Sequence, residues 1–248
     1  MKLKILGCVS PYPNKKNACP GYLITNNNTK ILLDCGNGIT KNLNLPYDFE
    51  NLTIIISHLH KDHYGDLLSL GYASYVYNKL GLLKDKINVY IPKDKKLDDY
   101  NYLRNFNKEN YFNIIPYIEQ TILTIDDLKI TFKKTEHAIE TYAIKIKNNE
   151  NTITYSSDTG FNKNLINFFK NSDILLCESS FLKKQKNGNN HLSSEEAAKL
   201  AKLSNIKQLI LTHYWPEIKS KEYLKEAKKI FKKTKIAKNN KVYKLKKK

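Results

Sequence analysis

Three histidines and an aspartate directly follow a short apolar run near residue 55. The run 54–56 (Ile-Ile-Ile) is typical of a buried strand, so the cluster His58-x-His60-x-Asp62-His63 is predicted to lie on the loop after it. In an extended segment residues i and i+2 point the same way, so His58 and His60 can bind one ion. Asp62 and His63 lie further along and face a second. The chain has only six histidines, so this clustering predicts a two-metal site.

Three more candidate ligands follow predicted strands downstream. A two-metal site needs about six or seven ligands. His137 follows the strand that ends at Lys133, Asp158 follows Thr-Tyr-Ser-Ser, and His213 follows Leu-Ile-Leu-Thr. A strand that ends in a possible ligand therefore recurs along the chain.

Length and cysteine usage limit the class of protein. The 248 residues suffice for one core, and no linker divides them, so a single domain over 1–248 is predicted. No apolar run is long enough to span a bilayer, and the first residues lack a signal-peptide core. The four cysteines form no Cys-x-x-Cys pair, so a cytoplasmic protein is expected rather than a disulfide scaffold.

The net charge of +18 would suit a nucleic-acid partner. Almost all of that positive charge is lysine, however, and Arg104 is the one arginine. Phosphate recognition tends to use arginine forks, so a dedicated RNA surface is disfavoured. The lysine-rich end, 232–248, is predicted to be a solvated face and tail.

Periodicity and turn residues give the elements. Strands are predicted at Lys2–Val9, Gly21–Thr25, Lys30–Asp34, 54–56, Ile87–Ile91, Thr121–Ile125, Leu128–Lys133, Tyr142–Lys147, Thr152–Ser156, Ile174–Cys177 and Gln208–Thr212. Helices are predicted at His63–Leu80, Asn162–Phe169, Ser194–Leu203 and Lys221–Phe231. Ser193 and Glu196 form a predicted capping box. Residues 93–117 receive no assignment.

The ordered ligands resemble those of the metallo-β-lactamase-fold hydrolases almost from end to end. The resemblance implies an α/β fold, an αββα sandwich of two mixed sheets flanked by helices. It also implies two divalent ions, zinc or alternatively manganese. One ion would be held by His58, His60 and His137, the other by Asp62, His63 and His213, with Asp158 bridging them.

A second pair of stretches indicates the branch of this fold. Residues 178–181 (Glu-Ser-Ser-Phe) and the segment from His191 look like the Glu-Ala-Thr-Phe and His-Ser-Thr stretches of ribonuclease Z and its smaller phosphodiesterase relatives. The resemblance implies that His191 protonates the departing oxygen and that Glu178 orients it, with Asp62 also in the catalytic set. Ser193 and Ser194 either offer backbone donors to a phosphate oxygen or simply cap a helix.

The substrate follows from what the chain lacks. Between His137 and Asp158 there is room for two strands and a turn, not for the tRNA-gripping arm of long ribonuclease Z enzymes. The chain is more similar to compact bacterial and phage phosphodiesterases of the anti-Pycsar type. That similarity implies hydrolysis of 3',5'-cyclic mononucleotides, including the cyclic CMP and cyclic UMP of antiphage signalling.

The same resemblance implies a homodimer in which a loop, 138–142 or 93–117, closes the partner's pocket. Aromatic residues of the second segment are expected to stack on a base, or else to belong to the core or a dimer interface: Tyr100, Tyr102, Phe106, Tyr111 and Phe112.

Three alternatives stay open. A tRNA 3'-processing nuclease would use the same catalytic residues and a basic surface. A lactonase or thioester hydrolase would keep the metal ligands but not need Glu178 and His191. A metal-dependent binding protein would be expected to have lost a ligand, and none is lost.

Overall fold

Two seven-stranded sheets are built from the described residues, which are 1–106 and 112–245 of the computed structural model. The strand order in the first sheet is β14 (Val242–Lys244), β1 (Lys2–Gly7), β2 (Gly21–Asn26), β3 (Thr29–Leu33), β4 (Leu52–Ile55), β5 (Ile87–Pro92) and β6 (Phe112–Tyr117). In the second it is β13 (Thr234–Ile236), β12 (Gln208–Thr212), β11 (Ile174–Glu178), β10 (Thr152–Tyr155), β9 (Tyr142–Lys147), β8 (Leu128–Lys134) and β7 (Ile122–Ile125).

Both sheets are mixed, as predicted. In the first sheet β14 to β3 pair antiparallel and β3 to β6 pair parallel. In the second, β7 to β10 pair antiparallel and β10 to β13 pair parallel. Parallel neighbours need crossover connections. The connection from β3 to β4 contains two short 3-10 helices, Thr40–Asn42 and Tyr47–Phe49. The other parallel connections contain the α-helices α1 (Lys61–Tyr64), α2 (Leu67–Lys79), α3 (Asp98–Phe106), α4 (Asn164–Phe169), α5 (Ser194–Leu203) and α6 (Ser220–Lys228).

The central strands bury both faces. In β3, Ile31 and Leu33 belong to the core cluster that contains the second sheet, whereas Leu32 belongs to the cluster that contains α2 and α3. A strand covered on both sides has no need of polar positions, which is why these strands read as continuous apolar runs. The predicted αββα sandwich is therefore present.

The predicted helix His63–Leu80 is wrong in one respect, since it is two helices. Gly65 separates α1 from α2, and a Cβ added there would lie 2.4 Å from the Asn37 side chain. The next residue, Asp66, donates its N–H to the Cys35 carbonyl at 3.0 Å and accepts the Thr40 N–H at 2.8 Å. The loop after β3 thus packs against the junction and interrupts the helix.

The predicted solvated face and tail at 232–248 is correct for its described lysines, which are exposed, but wrong in treating the stretch as a tail. It contains two edge strands, β13 and β14, and residues 246–248 lie outside the described part. In β13, Thr234 and Ile236 are buried while Lys235 between them is exposed, and in β14 Tyr243 is buried between two exposed residues. Lysines on the outward positions of edge strands hid a period-two pattern.

The unassigned stretch 93–117 contains α3 and β6. Tyr100, Phe106 and Phe112 are buried in the cluster with α2, so their interpretation as core is correct and a role as base-stacking wall is not. Tyr102 is exposed, and Tyr111 lies outside the described residues.

Two composition-based expectations can be compared with the structure. No described helix combines the length and apolar character required to cross a bilayer. The four cysteines are buried and free.

The N-terminus of α5 has the predicted capping box. The Ser193 hydroxyl accepts the Glu196 N–H at 3.2 Å, and the Glu196 carboxylate accepts the Ser193 N–H at 2.8 Å. The Ser194 hydroxyl donates to Glu226 at 2.6 Å, and the Glu195 N–H donates to the same carboxylate at 3.2 Å. These donors already have partners in the protein, so the capping interpretation is correct and the phosphate-binding one is not.

We expect Ser193→Ala to lower the free energy of unfolding by about 1 kcal/mol, because one N–H of the first turn loses its acceptor. Urea denaturation measures the change, and Ser193→Thr, which keeps the hydroxyl, should restore most of the stability. An alanine variant with the stability of the parent would contradict the capping role.

Candidate metal centre

The first group of candidate ligands joins the two sheets at the ends of β4, β8 and β10. The His60 Nδ1 lies 3.1 Å from the His58 Nε2 and 3.1 Å from the His137 Nε2. The Asp158 Oδ2 lies 3.6 Å from the His58 Nε2 and 3.9 Å from the His137 Nε2. The four predicted residues therefore present one ligand atom each to a common point.

The second group lies on the other side of the Asp158 carboxylate. The His63 and His213 Nε2 atoms are 3.1 Å apart, and the Asp62 Oδ2 lies 3.6 Å and 3.5 Å from them. The Asp158 Oδ1 lies 3.2 Å from the His213 Nε2 and 3.5 Å from the His63 Nε2. One oxygen of Asp158 thus faces each group, which is the arrangement of a bridging carboxylate.

The ring nitrogens that point away from the centre have partners. The four pairs, each between an Nδ1 and an oxygen, are His58 with Ser57 Oγ at 3.1 Å, His63 with Asp34 Oδ2 at 2.8 Å, His137 with the Asn190 carbonyl at 2.9 Å and His213 with Ser180 Oγ at 2.9 Å. A carbonyl or carboxylate oxygen only accepts, so His63 and His137 donate from Nδ1.

The hydrogen bonds of Ser57 and Ser180 require that His58 and His213 also carry a proton on Nδ1. The Ser57 hydroxyl donates to Asp34 at 2.9 Å and the Ser180 hydroxyl donates to Glu178 at 3.0 Å. Each hydroxyl has one proton, so each accepts from the histidine beside it. In the neutral rings the inward-facing Nε2 atoms therefore carry lone pairs.

Facing lone pairs require a positive charge between them. The His63 and His213 Nε2 atoms cannot hydrogen-bond to each other in their neutral forms, and the buried Asp158 Oδ1 accepts no hydrogen bond among the described residues. Burial opposes protonation of His63, but Asp158, Asp62 and Asp34 raise its pKa well above the ordinary value. A proton or a metal cation can meet this demand, and the two compete.

The ligand spacing fits a transition-metal cation. Two nitrogens on one tetrahedral zinc ion lie about 3.3 Å apart at the usual Zn–N distance. The inward nitrogens and carboxylate oxygens here are separated by similar distances, 3.1 Å for His58 and His60 and 3.2 Å for His213 and Asp158. Imidazole and carboxylate ligands suit zinc and manganese alike, so the donor set admits both.

The charge states of the candidate ligands suit coordination. Burial lowers the pKa of His58 well below its ordinary value, so the ring is neutral. Burial opposes ionisation of Asp62, but His63 and His213 hold its pKa at about 2. Burial likewise opposes ionisation of Asp158, and the surrounding imidazoles hold its pKa well below the ordinary value.

His191 and Glu178 form the predicted pair beside the centre. The His191 Nδ1 lies 3.1 Å from the Glu178 Oε1 and 3.8 Å from the Asp158 Oδ2. Glu178 is buried, and Thr159 N–H donates to its Oε1 at 2.7 Å. Burial disfavours the charged imidazole, but Glu178 raises the pKa of His191 to about 9. The side chain of His191 remains 26% exposed, so a ligand can reach it.

The residues that orient the ligands were not predicted. Asp34 follows a buried strand, which is the same signal that identified Asp158 and His213. Its φ of 59° is a left-handed conformation that is unfavourable for a residue other than glycine and is often found at functional sites. Ser57 and Ser180 carry no such signal, because a serine acquires this role only through its neighbours in space.

We expect the chelator-treated protein to bind about two zinc or manganese ions per chain and to become more stable. At a free ion concentration a hundred times the Kd, each ion should add about 2.7 kcal/mol to the free energy of unfolding. Elemental analysis and calorimetric unfolding measure the two quantities. A protein that binds no ion and shows no stabilisation would contradict the site.

Ser180→Ala should weaken the binding of one of the two ions about 10- to 100-fold, because the His213 Nδ1–H loses its acceptor and the ring its fixed orientation. Ser180→Thr keeps the hydroxyl and is the matched control. Isothermal titration with zinc distinguishes the two ions. Equal affinities for both ions in the alanine variant and the parent would show that Ser180 does not position His213.

Comparisons with known proteins identify the family of the chain. The sequence profile of the family described as Anti-Pycsar protein Apyc1 matches residues 1–237. The probable metallo-hydrolase YhfI of Bacillus subtilis is 30% identical over 234 residues, which cover 93% of this chain and 94% of YhfI. Ribonuclease Z of Saccharolobus solfataricus is 28% identical over 284 residues, with 94% and 96% covered.

Solved structures share the architecture. The crystal structure of the metallo-β-lactamase-fold protein YhfI superposes with a TM-score of 0.90 at 29% identity, over 98% of both chains. Human short-form tRNase Z has a TM-score of 0.73 at 17% identity, over 98% of this chain and 99% of that one, and shows the shared fold. The chain therefore belongs to the anti-Pycsar protein Apyc1 family and is a metallo-hydrolase with the metallo-β-lactamase fold.

Proposed function

We propose that the protein is a dinuclear metal-dependent phosphodiesterase that opens the ring of 3',5'-cyclic mononucleotides, including cyclic CMP and cyclic UMP. The observation that carries the proposal is the His191–Glu178 pair, 3.1 Å apart, directly beside two candidate ion sites. A lactonase or thioester hydrolase would use the ions without this pair. The anti-Pycsar description of the family supports a small cyclic nucleotide as substrate.

The candidate ligands divide the work of the site. His58, His60 and His137 would hold one ion, Asp62, His63 and His213 the other, and Asp158 would bridge them. Two divalent cations, zinc or manganese, would supply Lewis acidity, which lowers the pKa of water and offsets the charge of a phosphodiester. The protein contributes ligands that are already oriented by their outer hydrogen bonds.

His191 would donate a proton to the departing ribose oxygen. Its Nδ1–H is held by Glu178, which leaves the Nε2–H for the substrate. A ribose alkoxide is a poor leaving group, so protonation as the bond breaks is worth about 10²- to 10⁴-fold in rate. Glu178 itself is fixed by the Thr159 N–H and the Ser180 hydroxyl, so the histidine is held in one orientation.

A second candidate function is tRNA 3'-end processing, and one surface favours it. A cleft of about 610 Å³ beside His137 is lined by four lysines and two carboxylates: Lys93, Lys95, Lys96, Lys134, Asp94 and Glu140. Similarity to ribonuclease Z extends over most of the chain. Against it, the segment between His137 and Asp158 contains only β9, β10 and a turn in which Asn148 N–H donates to Asn151.

A homodimer remains part of the proposal. The loop 138–142 borders the cleft beside His137, so a second copy could cover the site there. Sedimentation analysis of the purified protein measures the oligomeric state, and a monomer at micromolar concentration would contradict the dimer.

The two candidate functions are separated by substrate. The metal-loaded protein is incubated with the four common 3',5'-cyclic mononucleotides and, separately, with a precursor tRNA. We expect nucleoside monophosphates from the first and no cleavage of the second. Cleavage of the tRNA alone would replace the phosphodiesterase proposal with the nuclease.

Replacing His191 with Ala should lower kcat for a cyclic nucleotide about 10²- to 10⁴-fold. The loss should be far smaller for bis(4-nitrophenyl) phosphate, because nitrophenolate leaves as a stable anion without a proton. Metal content, measured on the same samples, should stay at the parent value. Equal losses on both substrates, or a loss of bound metal, would exclude the leaving-group role.

A further inference from the structure

Phe181 and Trp215 lie on the His191 side of the centre, and a third aromatic residue, Tyr12, lies in a loop that is hydrogen-bonded to the Trp215 loop. Each is close in sequence to a residue of the site. Phe181 follows Ser180, and Trp215 lies two residues after His213. Tyr12 lies two residues after Ser10, whose hydroxyl donates to Asp62 at 2.9 Å. These three rings therefore lie in the loops that follow β1, β11 and β12.

The Phe181 ring contacts His191, and the Trp215 ring contacts Phe181. The Phe181 ring centroid lies 6.0 Å from that of His191, at an interplanar angle of 78°. The Trp215 ring centroid lies 5.2 Å from that of Phe181, at 71°. Both are edge-to-face contacts, so the three rings form one continuous surface.

Neither Phe181 nor Trp215 contributes to a core. Both are absent from the two core clusters of the described residues, and Trp215 is 37% exposed. Tyr12 is 51% exposed, and its hydroxyl donates to Glu217, which ties the loop after β1 to the loop that carries Trp215. Large aromatic surface held open beside a reactive group is typical of a ligand-binding wall.

The chemistry of the substrate determines which side of the phosphate this wall serves. In a 3',5'-cyclic nucleotide both ester oxygens belong to one ribose. The oxygen protonated by His191 is therefore a ribose oxygen, and the base attached to that ribose extends on the same side. Phe181 and then Trp215 are the rings encountered there.

We infer that Phe181 and Trp215 form the surface on which the nucleobase of the substrate stacks. The inference rests on the proposed phosphodiesterase function and adds the base-binding residues to it. Stacking is tolerant of the base, because purines and pyrimidines both present a π-face. The surface therefore suits cyclic mononucleotides as a class rather than a single one.

The test compares two cyclic phosphodiesters that differ only in the base. The metal-loaded parent, Trp215→Ala and Trp215→Phe are assayed with cyclic UMP and with base-free 1-O-methylribose 3',5'-cyclic phosphate. For Trp215→Ala we expect KM for cyclic UMP to rise about tenfold, with kcat nearly unchanged, so that the preference for the nucleotide falls by that factor. Trp215→Phe should keep most of the preference, since it keeps a ring.

The control and a binding measurement complete the test. Tyr47→Ala removes an aromatic ring that is 69% exposed and lies outside the site, and it should keep the parent preference. Trp215 is the single tryptophan of the chain, so uridine monophosphate should quench the fluorescence of the parent and ribose 5-phosphate should not.

The possible results distinguish a failure of the base-stacking surface from a failure of the proposed phosphodiesterase function. A parent that hydrolyses neither cyclic compound overturns both. A parent that hydrolyses cyclic UMP, with the same KM and preference in Trp215→Ala, overturns the base-stacking surface alone and leaves the phosphodiesterase standing.

Discussion

The buried carboxylate of Asp34 connects the two sheets at the point where the ligand loop begins. It accepts the Ser57 N–H at 2.7 Å, the Tyr155 hydroxyl of β10 at 2.8 Å and the Nδ1–H of His63 at 2.8 Å. A buried charge is costly unless it is surrounded by donors, so these groups must stay together. The first sheet, the second sheet and a candidate ligand are thereby held in one arrangement, and the centre takes its geometry from the fold.

The candidate ligands were predictable because each comes shortly after the end of a predicted strand. His58, Asp158 and His213 could be identified from that pattern, and the order of all seven residues indicated the fold. Ser57 and Ser180 could not, because their roles depend on partners that only the fold brings together, whereas Asp34 follows a strand and carried the same signal. The strands β13 and β14 were hidden for a different reason, since they are short edge strands in which exposed lysines, Lys235 and Lys244, flank the buried positions.

The surroundings of the centre differ on its two sides. Beside His137 the cleft is lined by four lysines together with Asp94 and Glu140, whereas the Phe181 ring lies beside His191. A charged group and a flat apolar group would each be favoured on one side only, so a small asymmetric ligand would have a preferred direction of binding. The lysines of the cleft are therefore the part of the high net charge that could attract a charged ligand. Most lysines elsewhere keep the surface solvated.

Asp158 offers one oxygen to each group of imidazoles, with 3.6 Å to His58 on one side and 3.2 Å to His213 on the other. Two pockets that share a side chain are thermodynamically linked. If a cation in the first pocket changes the affinity of the second by some factor, a cation in the second pocket changes the affinity of the first by the same factor. A cation bound in one pocket should therefore change the affinity of the other pocket for its cation, because both would draw on the charge of Asp158.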